Sequence, residues 1–339
     1  MIKGMIKGMI KGMIKGIMKK SFDPVGIWTK VLQEFVEDSN IYLAQKNLQT
    51  NKFDEYRLSH ENYDGIGAFY HLLKNEKLID DQFLLPTMKN SLRPSWFKLI
   101  KAIFIYMLDA GCRKTKWLYR DLTLKGRVLN PVCYFFSEEQ SRKIQQQAKD
   151  CEVSLNSYLL SVLDRVVSEK FLDTKENDKW WLIPTNMRRT NNPPSISNHA
   201  SYVVAKIKKT DNPKSIDKKI KEMIKSNYHW ASWIILHTSY LIGEFGMRRT
   251  FAHYYANNHS WVGTFSNLGK WSSSESVSKQ TVWFFCPPAT RAHPIAVGTL
   301  MWNNLISVTL QIHPSIDPNQ NKMKELLDSF VEQINQLNN

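Results

Sequence analysis

Residues 56–65 read YRLSHENYDG, and this decapeptide is the most informative part of the 339-residue chain. The residues from 52 to 59 are typical of a strand, and the Asp64-Gly65 pair that follows is typical of a break after it. A histidine at such a strand end can be held rigidly while its ring faces a cleft. With nine histidines in this composition, His-x3-Asp-Gly is expected by chance only about 0.02 times. His60 is therefore the first candidate for a catalytic residue.

Two segments further along the chain add to this candidate site. Residues 263–269 read GTFSNLG, which is either a plain strand ending in an Asn-Leu-Gly turn or a strand that carries a functional serine. The spacing differs from the Gly-x-Ser-x-Gly turn on which α/β-hydrolases hold their nucleophile. Residues 181–189 read WLIPTNMRR and place two arginines at the end of another predicted strand.

The decapeptide resembles the His-His-x3-Asp-Gly signature of the chloramphenicol acetyltransferase-like superfamily. That superfamily includes nonribosomal-peptide condensation domains and wax ester synthase-like acyltransferases that use coenzyme A. Ser59 stands at the first histidine position, and His60 keeps the second, which is the catalytic one. The resemblance implies that His60 deprotonates an acceptor hydroxyl or amine, which then attacks a thioester carbonyl.

The resemblance also implies roles for residues around His60. Asp64 is expected to be structural and paired with an arginine, with Arg188 as the first choice and Arg189 as the alternative. Gly65 is expected to permit the backbone bend. The segment at 263–269 is similar to a Ser-Asn-Leu-Gly stretch of the superfamily, which implies that Ser266 donates a hydrogen bond to the oxyanion. By the same resemblance, Asn267 and Gly269 are expected to bind substrate or co-substrate.

The predicted fold class is α/β in the broad sense of α+β, with mixed sheets flanked by helices. Strand candidates follow one another from residue 180 to residue 312, with helices interspersed, which is typical of mixed α/β sandwiches. The resemblance implies two lobes with the active site in the tunnel between them. We assign residues 21–125 to an N-terminal lobe that carries the histidine motif, and residues 126–339 to a C-terminal lobe. Residues 1–20 read as a disordered leader of MIKG repeats, since a glycine at every fourth position weakens a helix.

Composition restricts the partners and the compartment. The net charge is +15, and six of the lysines lie within the first twenty residues. A basic chain suits phosphorylated co-substrates, acidic carrier proteins or a membrane surface, so peripheral membrane contact stays open. Nucleic acid is not expected, because the lysines are dispersed and no helix-turn-helix, zinc or RNP pattern accompanies them. Four irregularly spaced cysteines predict a cytoplasmic protein without a disulfide framework or a metal site.

The expected activity is acyl transfer from a thioester of coenzyme A or of a carrier protein to a small-molecule alcohol or amine. The acyl-coenzyme A or acyl-phosphopantetheine thioester is a co-substrate, and no permanently bound cofactor is expected. Two alternatives stay open. A thioester hydrolase would use His60 and Ser266 with water as the acceptor. A catalytically inactive condensation-like module would only dock a carrier protein, and both Ser59 and the short first lobe favour it.

Overall fold

The computed structural model describes residues 30–337 except 33, 36–37, 80–82, 89–92, 111–114, 122, 125–127, 174–177, 190–194, 257–260, 274–279 and 320. The predicted leader at 1–20 lies outside the described residues. Within them the chain forms nine strands, eight α-helices and one 3-10 helix.

The strands are β1 Asn40–Asn47, β2 Phe53–Ser59, β3 Val132–Phe135, β4 Asp178–Asn186, β5 Ala200–Lys208, β6 Gly263–Trp271, β7 Thr281–Cys286, β8 Ile295–Trp302 and β9 Leu305–Ile312. The helices are α1 Gly65–Asn75, α2 Trp96–Ala110, α3 Glu138–Asp150, α4 Leu155–Phe171, α5 Pro213–Lys225, α6 Tyr228–Thr238, α7 Gly243–Ala256 and α8 Lys322–Leu337, with the 3-10 turn Ser239–Ile242 between α6 and α7.

The strands form two sheets, and the helices pack against them. The smaller sheet has the order β2-β1-β7, and the larger sheet has the order β3-β9-β8-β6-β4-β5. Pairing is parallel between β4 and β6 and between β6 and β8, and antiparallel elsewhere. This is the mixed α/β architecture, with two sheets flanked by helices, that the sequence predicts.

The smaller sheet combines distant parts of the chain. Its strands β1 and β2 come from the segment 21–125, whereas β7 comes from the segment 126–339 and pairs antiparallel with β1 from Tyr42↔Cys286 onward. The two sheets approach each other closely at Gly298 of β8. A Cβ atom there would lie 1.8 Å from the carbonyl oxygen of Phe285, so only glycine allows this approach.

A buried aromatic cluster holds the helix that follows the histidine motif. Phe69 of α1 packs edge-to-face on Trp271, Trp283 and Trp302, with ring centroids 4.9, 5.4 and 6.0 Å apart. Edge-to-face contacts of this kind add about 0.5–1.5 kcal/mol each beyond the area they bury. Three strands of the segment 126–339 thereby fix the orientation of α1, which belongs to the segment 21–125, and with it the turn that carries His60.

None of the described helices is long and apolar enough to cross a membrane.

Candidate active site

His60 lies in a tight turn between β2 and α1. The turn is closed by the backbone N–H groups of Asn62 and Tyr63, which donate to the Ser59 carbonyl over 3.1 and 3.2 Å. Ser59 Oγ accepts a further hydrogen bond from the Glu61 N–H over 3.2 Å. The serine at the superfamily's first histidine position therefore stabilises the turn.

The ring of His60 is held by the same turn. Its Nδ1 lies 2.9 Å from the carbonyl oxygen of Tyr63. A carbonyl oxygen can only accept, so Nδ1 carries the proton in this contact and Nε2 keeps its lone pair. The ring is half-buried. This is the tautomer in which a neutral imidazole can act as a general base through Nε2.

Asn198 contacts His60 from the other side. Its side-chain nitrogen Nδ2 lies 3.2 Å from the carbonyl oxygen of His60 and 3.2 Å from the ring Nδ1. Because the Nδ1 proton points to Tyr63, the amide of Asn198 donates to the carbonyl oxygen of His60. Asn198 is buried, and it belongs to the connection between β4 and β5. The sequence predicts no role for it, and it positions the histidine by holding its main chain.

Asp64 has a structural environment. It is the N-cap of α1, and its Oδ1 accepts from the Gly67 N–H over 2.8 Å. Its Oδ2 accepts from the backbone N–H of His199 over 2.7 Å. Arg188 donates to both oxygens. The carboxylate is buried and accepts four hydrogen bonds, so it joins α1 to the β4–β5 connection and has no free oxygen lone pair directed at a substrate.

Arg188 uses all five of its N–H donors. Nη1 and Nη2 each lie 2.9 Å from one oxygen of Asp64, in the bidentate arrangement that gives short, strong pairs. The remaining donors reach the Ser195 carbonyl over 2.9 Å, the Ser197 carbonyl over 3.0 Å and Asn186 Oδ1 over 3.3 Å. Arg188 is the partner of Asp64, whereas the alternative, Arg189, stacks over the ring of Trp230.

The glycines of the motif provide space. Gly65 has no positive φ, so the expected backbone bend does not require it. A Cβ at Gly65 would lie 2.8 Å from the Phe285 ring and 2.9 Å from Leu268 Cδ2. At Gly67 a Cβ would lie 2.0 Å from the carbonyl oxygen of Ile196. Gly65 therefore lets α1 pack against β6 and β7, and Gly67 lets it pack against the β4–β5 connection.

Ser266 lies on β6, just beyond the point where the pairing of β6 with β4 ends. The two strands pair only at Trp181↔Gly263 and Leu182↔Thr264, although both continue further. Ser266 is buried, and its hydroxyl makes no hydrogen bond to another described residue. Leu268, two residues later, is the residue that packs against Gly65. The hydroxyl thus lies in the same region of the molecule as the histidine turn, although the structure does not join Ser266 and His60 by a hydrogen bond.

Asn267 and Gly269 lie at a bulge in β6. The register of β6 against β8 shifts between Asn267 and Lys270. Gly269 has φ +85°, which favours glycine, and its N–H donates to Asn267 Oδ1 over 2.6 Å. The side-chain nitrogen of Asn267 donates to Asn156 at the start of α4. Both residues shape the strand that carries Ser266, and their expected binding roles remain predictions.

No group of three metal-ligating side chains occurs within the described part of the chain.

Histidines next to the site are held neutral by burial. Burial lowers the pKa of His237 and of His229 to about 4. His237 donates from Nδ1 to the Trp233 carbonyl over 2.8 Å, and the same tryptophan stacks on His199, whose backbone binds Asp64. Burial, followed by the charge of Arg188, also lowers the pKa of His199. These rings form an uncharged layer behind the β4–β5 connection at neutral pH.

This layer predicts a loss of stability at mildly acidic pH. Below about pH 6.5 the unfolded chain protonates His237, whereas the folded protein does not until about pH 4. The unfolded state therefore binds more protons in this window, and the free energy of unfolding falls by up to about 1.4 kcal/mol per pH unit for such a group. Denaturant unfolding between pH 6.5 and 5 should show a smaller pH slope for His237→Gln than for wild type. Equal slopes for the two proteins would contradict the prediction.

The fold and the geometry of this site can be compared with known proteins. No family model matches the sequence, and no curated protein does either. Solved structures do match. The epimerization domain from the third module of tyrocidine synthetase B has a TM-score of 0.53 and 12% identity, over 84% of this chain and 68% of that one. The EpoB cyclization-docking bidomain from Sorangium cellulosum has a TM-score of 0.52 and 11% identity, over 84% of this chain and 59% of that one.

An acetyltransferase also shares the fold. The trichothecene 15-O-acetyltransferase from Fusarium sporotrichioides has a TM-score of 0.50 and 13% identity, over 91% of this chain and 74% of that one. The chain therefore has the fold that these three structures share. It spans about six- to seven-tenths of the length of these three structures.

Proposed function

We propose that the protein transfers an acyl group from a thioester to a hydroxyl or amine acceptor, with His60 as the general base. The donor is an acyl thioester of coenzyme A or of a carrier protein's phosphopantetheine. The observation that carries this proposal is the contact between His60 Nδ1 and the Tyr63 carbonyl, which leaves Nε2 unprotonated. The acyltransferase named among the similar folds supports the reaction class.

The proposed reaction needs only groups of this chain and its two substrates. His60 Nε2 takes the proton of the acceptor as the acceptor oxygen or nitrogen attacks the thioester carbonyl carbon. The new bond forms a tetrahedral oxyanion, which the Ser266 hydroxyl stabilises by donating a hydrogen bond. Collapse of the intermediate breaks the carbon–sulfur bond, and the thiolate takes the proton back from His60. The imidazole is thereby restored to the tautomer that the Tyr63 carbonyl favours.

Product analysis tests this proposal directly. The protein is incubated with acyl-coenzyme A thioesters and acylated carrier proteins, each with and without a panel of alcohols and amines. Thiol release is followed, and products are identified by mass spectrometry. Acceptor-dependent ester or amide formation supports the proposal. Free acid formed at the same rate without an acceptor would identify a hydrolase. Carrier-protein binding with no turnover on any pair would identify the inactive module.

Ser266→Ala is expected to lower kcat by about 10- to 1000-fold with little change in KM. The hydrogen bond to the oxyanion forms mainly in the transition state, so its loss affects kcat rather than binding. Steady-state kinetics for the best donor and acceptor measure this split. Thr264 is a buried residue with a hydroxyl group, two positions earlier in β6. The variant Thr264→Ser is the matched control and should keep a kcat near that of wild type. A change confined to KM would make Ser266 a substrate-positioning residue instead.

A further inference from the structure

Helix α2 has a strongly apolar side that faces away from the protein. Its inner side packs on α6, where Leu99 joins Met187 and Trp230 in one buried cluster. The Tyr106 hydroxyl lies 2.6 Å from the Tyr202 hydroxyl and ties the helix to β5. The outer side consists of six residues that are each at least half exposed, and we call them the α2 apolar face: Trp96, Phe97, Ile100, Phe104, Met107 and Leu108.

The six side chains form one continuous stripe. At 3.6 residues per turn, their positions fall within an arc of about 120°, and the helix is about 22 Å long. Phe97 at one end is 88% exposed, which is close to the exposure of an unfolded residue. Single exposed apolar residues are common on protein surfaces, but a contiguous stripe of aromatic and aliphatic side chains marks an interaction site.

Positive charges border this stripe. Lys98 and Lys101 are exposed on the same helix, and Lys101 lies next to Leu108 on the helical arc. The Arg93 guanidinium lies 4.8 Å from the Trp96 ring centroid. Helix α2 carries Lys98 and Lys101 and a single acidic residue, Asp109 near its end, and the whole chain carries a net charge of +15. An apolar face with more cations than anions beside it complements a surface that is apolar inside and anionic outside.

We propose that the α2 apolar face inserts into the interface of an anionic lipid bilayer, with the helix lying parallel to the membrane plane. The large rings enter the boundary between headgroups and acyl chains, while Lys98, Lys101 and Arg93 contact lipid phosphates. At about 22 Å the helix is too short to span the roughly 30 Å hydrocarbon core, so it lies on the membrane. Leu99 of α2 packs in one cluster with Met187, which directly precedes Arg188 in the chain. The docked helix therefore lies beside the segment that carries Arg188.

Vesicle sedimentation of the full-length protein tests the proposal. The probes are phosphatidylcholine vesicles and phosphatidylcholine vesicles that contain phosphatidylglycerol. Wild type should bind the anionic vesicles more tightly, and added salt should weaken the binding. Phe97→Ser combined with Phe104→Ser should lower this affinity at least about tenfold. Lys98→Gln combined with Lys101→Gln should reduce the preference for anionic vesicles. Leu118→Ser, which changes an exposed apolar residue outside α2, should bind like wild type.

Several results would overturn the proposal. One is that the wild-type protein binds neither kind of vesicle, or binds the neutral and the anionic vesicles equally well. Another is a phenylalanine double variant that binds as well as wild type, because another surface would then make the contact. A third is a wild-type dimer that the double variant converts to a monomer without any vesicle binding, which would make the face a self-association surface. The substituted side chains are exposed, so thermal melting should confirm that every variant folds.

Discussion

Replacing His60 with alanine is expected to lower the rate of acyl transfer by about 10²–10⁴-fold, the usual cost of removing a general base. The ring is fixed by the Tyr63 carbonyl, and Asn198 holds the main chain of the same residue. Loss of the ring therefore removes Nε2 and the Nδ1 contact with Tyr63, whereas the main-chain hydrogen bonds that close the turn remain. Steady-state kinetics should show the loss in kcat, while donor affinity and the melting temperature stay near wild type.

His71→Ala is the matched control for this experiment. His71 lies on α1 eleven residues after His60, and its ring stacks on Tyr63 with centroids 5.1 Å apart. Its removal disturbs the same neighbourhood but takes away no candidate base, so activity should change little. If His60→Ala kept more than about a tenth of the wild-type rate, another group would have to serve as the base.

The fold could be predicted in part from local patterns. Ser137 begins α3 with a capping box and Ser154 caps α4, and both are local signals of the kind that a sequence pattern carries. Strand β1 was missed, because it lies in the middle of its sheet and buries Ile41 to Ala44 in succession, which leaves no alternating pattern. Helix α6 was missed for a related reason. It buries every residue from Tyr228 to Ser232 and so lacks one apolar face.

The site shows the same division between local and distant information. The histidine turn and its arginine could be located because short motifs carry them. Asn198 could not, since nothing in its own segment indicates that this asparagine reaches a residue 138 positions earlier. The role of Gly65 also depends on distant residues, namely Phe285 and Leu268, whose positions follow from β7 and β6 joining the turn. Sequence motifs indicate the candidate residues of such a site, and the tertiary contacts decide how each of them is held.

The pair between Asp64 and Arg188 is expected to hold the site together, and its loss should destabilise the whole protein. Both side chains are almost completely buried. Removing one partner leaves an uncompensated buried charge, which costs about 3–5 kcal/mol. Asp64→Asn is a clean probe because asparagine caps helices as well as aspartate does, so the N-terminus of α1 keeps its cap. Arg188→Gln removes the charge and most of the five donors. Each variant should lose stability and activity together.

The double variant separates a direct pair from two independent effects. Chemical denaturation gives the free energy of unfolding of wild type, of each single variant and of Asp64→Asn combined with Arg188→Gln. If the two side chains share one interaction, the double variant is less destabilised than the sum of the singles, with a coupling of about 1 kcal/mol or more. Arg189→Gln is the matched control, since this neighbour stacks on Trp230 and should combine additively with Asp64→Asn. Additivity between Asp64 and Arg188 themselves would contradict the bidentate pair. A coupling between them would show that α1 and the β4–β5 connection depend on each other, because 124 positions of sequence separate the two residues.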